Sequence, residues 1–137
     1  MIILRYNEVT AIMKIRKDYT CPLEIVHDIV KGKWKPIILF QLRNSSKSLS
    51  QLQREINGIT QKMLLEQLKE LQQFGIVDKL SSEGYPLHVE YFLTPKKGRE
   101  ILKAFMIMQN VGIEYMMENG MEEELEEKGI KVNKIKH

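Results

Sequence analysis

One cysteine, Cys21, is all that 137 residues contain, which excludes a disulfide within the chain and points to a reducing compartment. Histidine is nearly as scarce. His27, His88 and His137 share no metal-ligand spacing with one another or with Cys21, so no metal is expected. Asp28 beside His27 reads as helix surface rather than as a catalytic pair. A phosphate-binding glycine loop and a nucleophile elbow are both lacking, and with them the usual grounds for expecting an enzyme or a cofactor. Long apolar runs are missing too. Ile37 to Phe40 falls far short of the ~20 residues that cross a bilayer, and Met1 to Leu4 lack a signal-peptide design. These absences predict a cytoplasmic protein with no membrane partner. Repeats and low-complexity tracts are absent as well.

What the chain does have is an uneven charge. The formal net charge is +3, but residues 1–117 carry 17 Lys and Arg against 12 Asp and Glu, whereas residues 118–137 carry 4 against 6. A mildly basic body suits contact with phosphates. The length suffices for one domain with a modest core and leaves no room for an independent second one.

The most informative stretch runs from Ser48 to Val77. Ser48 and Gln51 form a capping-box pair, so a helix should open at Leu49, and Leu49, Leu52 and Ile56 give it one apolar stripe. Asn57-Gly58 marks a turn. Thr60 can cap a second helix whose inner face is Leu64, Leu68 and Leu71, and Gly75 stops it. With a step of about 100° per residue, Lys62, Glu66, Lys69 and Gln73 stand opposite that stripe and Leu65 on its flank. Two capped helices around a tight turn follow the helix-turn-helix plan, in which the first turn of the second helix meets base edges in the major groove. Gln61 can bond an adenine edge, and Lys62 can reach guanine or a phosphate. An ordinary helical hairpin with a solvated face would show the same periodicity.

Ile76-Val77-Asp78-Lys79-Leu80 is rich in strand formers, and Ser81 to Pro86 supply turn residues. His88 to Leu93 then alternates, placing Val89, Tyr91 and Leu93 on one face. A helix-turn-helix followed by a β-hairpin is a winged helix. The expected fold is α+β, mostly helical, with a two-stranded wing and a long C-terminal dimerisation helix.

Five short strings carry a family resemblance: Cys21-Pro22-Leu23-Glu24, Gly32-Lys33-Trp34-Lys35, Ile59-Thr60-Gln61-Lys62-Met63-Leu64, Gln67-Leu68-Lys69-Glu70-Leu71 and Val89-Glu90-Tyr91. In order and spacing they resemble the HxlR-type transcription factors, dimeric winged-helix proteins related to the MarR group, over about Tyr19 to Tyr115. The resemblance implies a bacterial or archaeal regulator that binds double-stranded DNA, as a homodimer on an inverted-repeat operator. Whether it senses a signal, and whether that signal is a small molecule or an electrophile, is left open. The DNA-facing set it suggests here is Lys47, Ser50, Thr60, Gln61, Lys62, Leu65, Lys69 and His88. The chain departs from the family where His88 replaces a usual Arg or Lys, where Thr94-Pro95-Lys96-Lys97-Gly98-Arg99 is one residue longer than usual, and where Val111 replaces an aromatic.

The flanks predict how the module is held. Pro22 suits a first helical turn and Leu23, Val26, Ile29 and Val30 form a stripe that Gly32 ends. Trp34, Ile37, Ile38 and Leu42 mark the next helix, with Trp34 as a core anchor and Pro36 tolerable near its start. Thr94 and Pro95 should open the last long helix, whose stripe of Ile101, Leu102, Phe105, Met108, Gly112, Ile113 and Met116 is expected at a dimer interface. Domain limits are read as an arm or extra helix over 1–18, the winged-helix domain over 19–118 with dimerisation helix at about 95–118, and a charged tail or short helix over 119–137.

Cys21 is the one chemical candidate. Just before Pro22 it stands at a helix N-cap, where free N–H groups and the dipole favour a thiolate, with Lys17 and Lys33 as further sources of positive charge. Some HxlR-type regulators sense oxidants or electrophiles through the cysteine of this Cys-Pro motif. A quiet, half-buried thiol is the plain alternative. For the whole chain the rival function is a winged helix used only for protein contact, which an apolar or acidic recognition face would favour; here Lys62 and Lys69 oppose Glu66.

Overall fold

The computed structural model describes residues 18–82, 84 and 87–130. The expected N-terminal arm, Lys17, the turn residues Glu83, Tyr85 and Pro86, and the tail from residue 131 with its lysines and His137 lie outside the described residues. The chain divides into two compact units that meet in sequence between Leu102 and Lys103.

The first unit holds helices α1 (Pro22–Val30), α2 (Trp34–Gln41), α3 (Leu49–Glu55) and α4 (Gln61–Gln73), then the antiparallel strands β1 (Val77–Ser81) and β2 (Val89–Leu93), and the start of α5 (Lys97–Glu118). The predicted mostly helical winged-helix fold is therefore present. Its core is built from the predicted stripes. Ile38, Leu39 and Leu42 of α2 meet Leu52 and Ile56 of α3 and its end, Leu64, Leu68 and Leu71 of α4, and Val77 and Leu93 of the hairpin, all at most 4% exposed. Each such side chain contributes about 1.5–3 kcal/mol on leaving water.

Local sequence explains the α4–β1 junction. Gly75, at φ 72°, takes the left-handed position after Phe74; its N–H donates to Gln72 O and that of Ile76 donates to Leu71 O. The orphan carbonyls of the helix end are thus satisfied, and Ile76, 4% exposed, turns inward as the first residue of the wing. The wing register pairs Val77 with Leu93 and Lys79 with Tyr91, and the predicted alternation holds: Tyr91 and Leu93 are buried and Val89 half-buried. Burial also pushes the Tyr91 phenol above its ordinary pKa.

A third chain segment joins the sheet that sequence reading did not foresee. Lys47 N donates to Tyr91 O at 2.9 Å and Tyr91 N to Lys47 O at 2.8 Å, so the segment before α3 is stitched to β2. Thr94 ties the other side. Its N–H donates to Ile76 O, its hydroxyl donates to Gly75 O and accepts from Gly98 N–H at 2.8 Å. Thr94 thus caps α5 as expected, but the helix begins at Lys97, two residues beyond Pro95, because Pro95 and Lys96 form a turn first. Gly98 is required there: a Cβ would stand 2.3 Å from Ile76 O.

Two expectations about packing need correction. Trp34 is half-buried rather than central, and lies over the turn of the helix-turn-helix with its Cη2 3.9 Å from where a Cβ on Gly58 would stand. Leu39, absent from the predicted stripe, is fully buried instead. In α1 no residue is buried: of the predicted stripe, Leu23 at 74% and Val26 at 37% are exposed, and only Ile29 and Val30 are half-buried.

In the second unit the rest of α5 is followed by α6 (Glu122–Glu127), the short helix that the acidic tail allowed; Leu125 on it is 1% exposed. Of the expected α5 stripe, Phe105, Ile113 and Met116 are half-buried, Gly112 and Met108 are exposed, and Ile101 is half-buried and Leu102 buried at the end of the first unit. The most open apolar side chains on α5 are Ile107, Met108, Val111 and Tyr115, at 63–67%. Met108 belongs to the predicted stripe, whereas Ile107, Val111 and Tyr115 sit roughly a quarter-turn around from it at about 100° per residue. Among the described residues, no helix is long and apolar enough to cross a membrane.

Candidate nucleic-acid interface

The site is assembled by two caps. Ser48 Oγ accepts from Gln51 N–H while Gln51 Oε1 accepts from Ser48 N–H at 2.9 Å, the reciprocal pair predicted, and this sets where α3 starts. Thr60, extended at φ −83° and ψ 158°, accepts from Met63 N–H through Oγ1 at 3.1 Å and so begins α4. Gln61 and Lys62 are consequently the first two helical residues, and Thr60, Gln61 and Lys62 are all exposed. No acidic side chain stands in that turn, so its free N–H groups, the positive end of the helix dipole and the Lys62 ammonium add in one direction. The turn can donate and accept hydrogen bonds at base edges while attracting phosphate.

The other expected residues divide. Lys69 is exposed on the same helix and Leu65 is half-buried beside it. Ser50 is exposed in the first turn of α3, its hydroxyl 3.1 Å from that of Ser48. Lys47 is engaged instead. Its ammonium bonds Glu55 Oε2, its side chain is 17% exposed, and its main chain belongs to the sheet. His88 is exposed where the wing turn closes: its N–H donates to Ser82 Oγ at 3.1 Å, its carbonyl accepts from Ser82 N–H at 2.8 Å, and Nε2 lies 3.7 Å from Glu90 Oε1. The Glu90 carboxylate thus already stands beside the His88 ring.

Behind the exposed face lies a pair that sequence reasoning missed. Lys35 of α2, 3% exposed, is the one buried charged residue among the described residues, and its ammonium bonds Glu70 Oε2 of α4. One signal could have found it. Lys35 falls in step with Ile38, Leu39 and Leu42 on the buried stripe of α2, where a charge needs a partner. At the far end of α2, Arg43 Nη1 donates to Phe40 O, and Arg99 Nη1 of α5 reaches Arg43 O at 2.7 Å.

Comparison with known proteins agrees with this geometry. The model of the HxlR-like helix-turn-helix family matches residues 29–120, which include α2 to β2 and all of α5. The chain belongs to the HxlR family. It is 40% identical over 78 residues to the uncharacterized HTH-type transcriptional regulator YkvN of Bacillus subtilis, a stretch of 57% of this chain and 66% of YkvN. The chain therefore spans just under two thirds of that relative's length. Among solved structures, the redoxregulator HypR in its reduced form is similar at TM-score 0.65 and 34% identity, over 69% of this chain and 92% of HypR. A transcriptional regulator of the MarR family from Porphyromonas gingivalis W83 is similar at TM-score 0.65 and 34% identity, over 74% and 98%. These relatives are transcriptional regulators, which fits a role other than catalysis.

Cys21 precedes the stretch matched by the family model. It is exposed, adopts the extended N-cap conformation before Pro22, and its carbonyl accepts from Glu24 N–H at 2.9 Å. Its side chain makes no capping hydrogen bond. The Lys33 ammonium, one of the two cations expected near it, lies instead over the Trp34 ring, 4.5 Å from its centroid. Among the described residues no group of three His, Cys, Asp or Glu stands close enough to hold a metal ion.

Proposed function

We propose that this HxlR-family chain is a sequence-specific regulator of transcription that binds double-stranded DNA as a homodimer on an inverted repeat. The observation that carries the reading is the exposed, capped first turn of α4, where Thr60, Gln61 and Lys62 stand together with no acidic neighbour in the turn. α4 enters the major groove, Gln61 and Lys62 read or anchor, Ser50 and Lys69 meet phosphates, and the wing with His88 touches the backbone alongside. Lys47 acts mainly as a brace, since its ammonium is taken by Glu55. The dimer rests on apolar surface that this chain leaves open, with Ile107, Val111 and Tyr115 more than 60% exposed on α5. Recognition helices related by a two-fold axis then enter successive major grooves, ~34 Å apart.

The signal proposed is oxidation or electrophilic modification at Cys21. HypR, similar over 69% of this chain, is a redoxregulator, and Cys21 is exposed with no hydrogen bond holding its side chain as a cap. A bridge between subunits or a mixed adduct at the start of α1 would shift that helix and with it the spacing of the two recognition helices.

Binding tests the core of this reading. On a duplex selected by the protein from a randomised pool, affinity is expected to fall steeply with salt as phosphate contacts release counterions. Gln61→Ala together with Lys62→Ala is expected to cost ~1–3 kcal/mol or more and to flatten the preference for that duplex. Unchanged binding by the double variant would take α4 out of the interface. Diamide treatment of wild type and Cys21→Ser, followed by adduct mass and DNA affinity, tests the signal: an adduct that leaves affinity unchanged makes the thiol a bystander.

A further inference from the structure

We propose that the buried Lys35–Glu70 pair sets the roll of α4 about its own axis, and so determines base specificity without touching DNA. The inference rests on the DNA-binding reading above and deepens it. Lys35 is 3% exposed and the Glu70 side chain 20%, so both charges are largely out of water. An apolar pair at the same place would stabilise the fold as well or better, which makes stability a weak reason for the charges to be there.

Geometry supplies another reason. The inner face of α4 is Leu64, Leu68 and Leu71, three side chains of one shape along one stripe. Their burial is favourable over a range of helix rotations, because the hydrophobic effect has no direction. Glu70 lies off that stripe, about 120° from its middle on the flank towards α2. A directional bond there acts tangentially and resists roll, which the leucines do not. Its other end is itself fixed. α2 is held by its buried Ile38, Leu39 and Leu42, and its last turn is tied to α5 by Arg99 on Arg43 O.

The roll matters at the opposite end of the helix. Side-chain tips lie about 5–6 Å from a helix axis, so a roll of about 10° moves a tip by about 1 Å. Hydrogen bonds to a base edge tolerate only a few tenths of an ångström, whereas attraction to phosphate falls off slowly. A loosened roll therefore erodes the discrimination by Gln61 and Lys62 and leaves sequence-independent affinity intact.

The test uses the full chain, the duplex it selects from a randomised pool and a mixed-sequence duplex of equal length. Lys35→Met with Glu70→Leu replaces the pair by apolar side chains of similar size, and Glu70→Gln keeps an acceptor for Lys35 without the charge. Both are expected to fold, to bind the mixed duplex with wild-type affinity and salt slope, and to lose at least about tenfold in the ratio of selected to mixed binding, with the double variant losing more. If either folded variant keeps the wild-type ratio, the pair is a structural ion pair and the inference is overturned. If both duplexes weaken equally, the pair supports the fold only, and the inference fails. A randomised pool that yields no preferred sequence, or a Gln61→Ala, Lys62→Ala variant that binds like wild type, overturns the recognition-helix reading itself, which is a different result from an unchanged ratio in the Lys35 and Glu70 variants alone.

Discussion

α4 and α5 are both amphipathic, yet they end in opposite conditions. The apolar stripe of α4 is wholly covered, with Leu64, Leu68 and Leu71 at 0% exposure, while Ile107, Val111 and Tyr115 on α5 stand more than 60% open. α4 also has a side-chain cap at its start and a glycine-terminated end, so nearly everything it needs is supplied by its own chain. α5 is capped by Thr94 and locked at Gly98, then presents apolar surface in water. A helix whose inner face is satisfied can give its outer face to a ligand. One with an open apolar face asks for a partner, which is why the proposed DNA contact falls on α4 and the proposed subunit contact on α5.

Substitutions sharpen that contrast. The largest expected effect is Leu68→Ala in the stripe of α4, a loss of ~2–5 kcal/mol in chemical denaturation, since Leu68 is fully buried and its surroundings relax only partly into the cavity. A loss below about 1 kcal/mol would mean that α4 is less tightly held than its burial indicates. Next is Ser48→Ala, which removes one half of the capping box at α3 and is expected to cost ~0.5–2 kcal/mol, read by the same denaturation curve.

On α5 the expected pattern is reversed. Ile107→Ser with Val111→Ser is expected to change the stability of an isolated chain by no more than about 0.5 kcal/mol, yet to convert a dimer to a monomer in sedimentation and to abolish any dependence of melting temperature on protein concentration. A large loss of monomer stability would break the comparison, because it would place that face in the chain's own core.

The smallest effect belongs to the wing. His88 lies on the wing proposed to touch DNA, and Glu90 Oε1 is 3.7 Å from its Nε2. His88→Lys puts a permanent positive charge there and is expected to strengthen DNA binding by less than about 1 kcal/mol, because Glu90 competes for that charge. An unchanged affinity and salt slope in that variant, read by titration against the selected duplex, would take the wing out of the interface.

Much of the fold was legible before any coordinates because its signals are short-range. The capping box joins Ser48 to Gln51, Thr60 caps three residues ahead, and Val89, Tyr91 and Leu93 alternate within one strand. The exposed first turn of α4 follows from the cap and the leucine spacing alone. The status of Lys47 did not follow. The family resemblance puts it among the DNA-facing residues, but Glu55 lies close enough to take its ammonium. Which part of the apolar arc of α5 stays open was also beyond periodicity, because the helix is apolar over far more of its circumference than one stripe.

Sequence by itself determined the main elements, the starts of α3 and α4 and the inward faces of α3, α4 and β2, since caps, turns and periodicity act within a few residues and need no other part of the chain. Tertiary structure alone decided that Lys35 meets Glu70 across 35 positions, that Arg99 reaches Arg43 across 56, that Lys47 joins β2, and that a Cβ at position 98 would strike Ile76 O. Such contacts depend on how packed helices bring distant backbone together, and a directional bond or a hard-sphere clash is settled within tenths of an ångström that no pattern of residue types encodes.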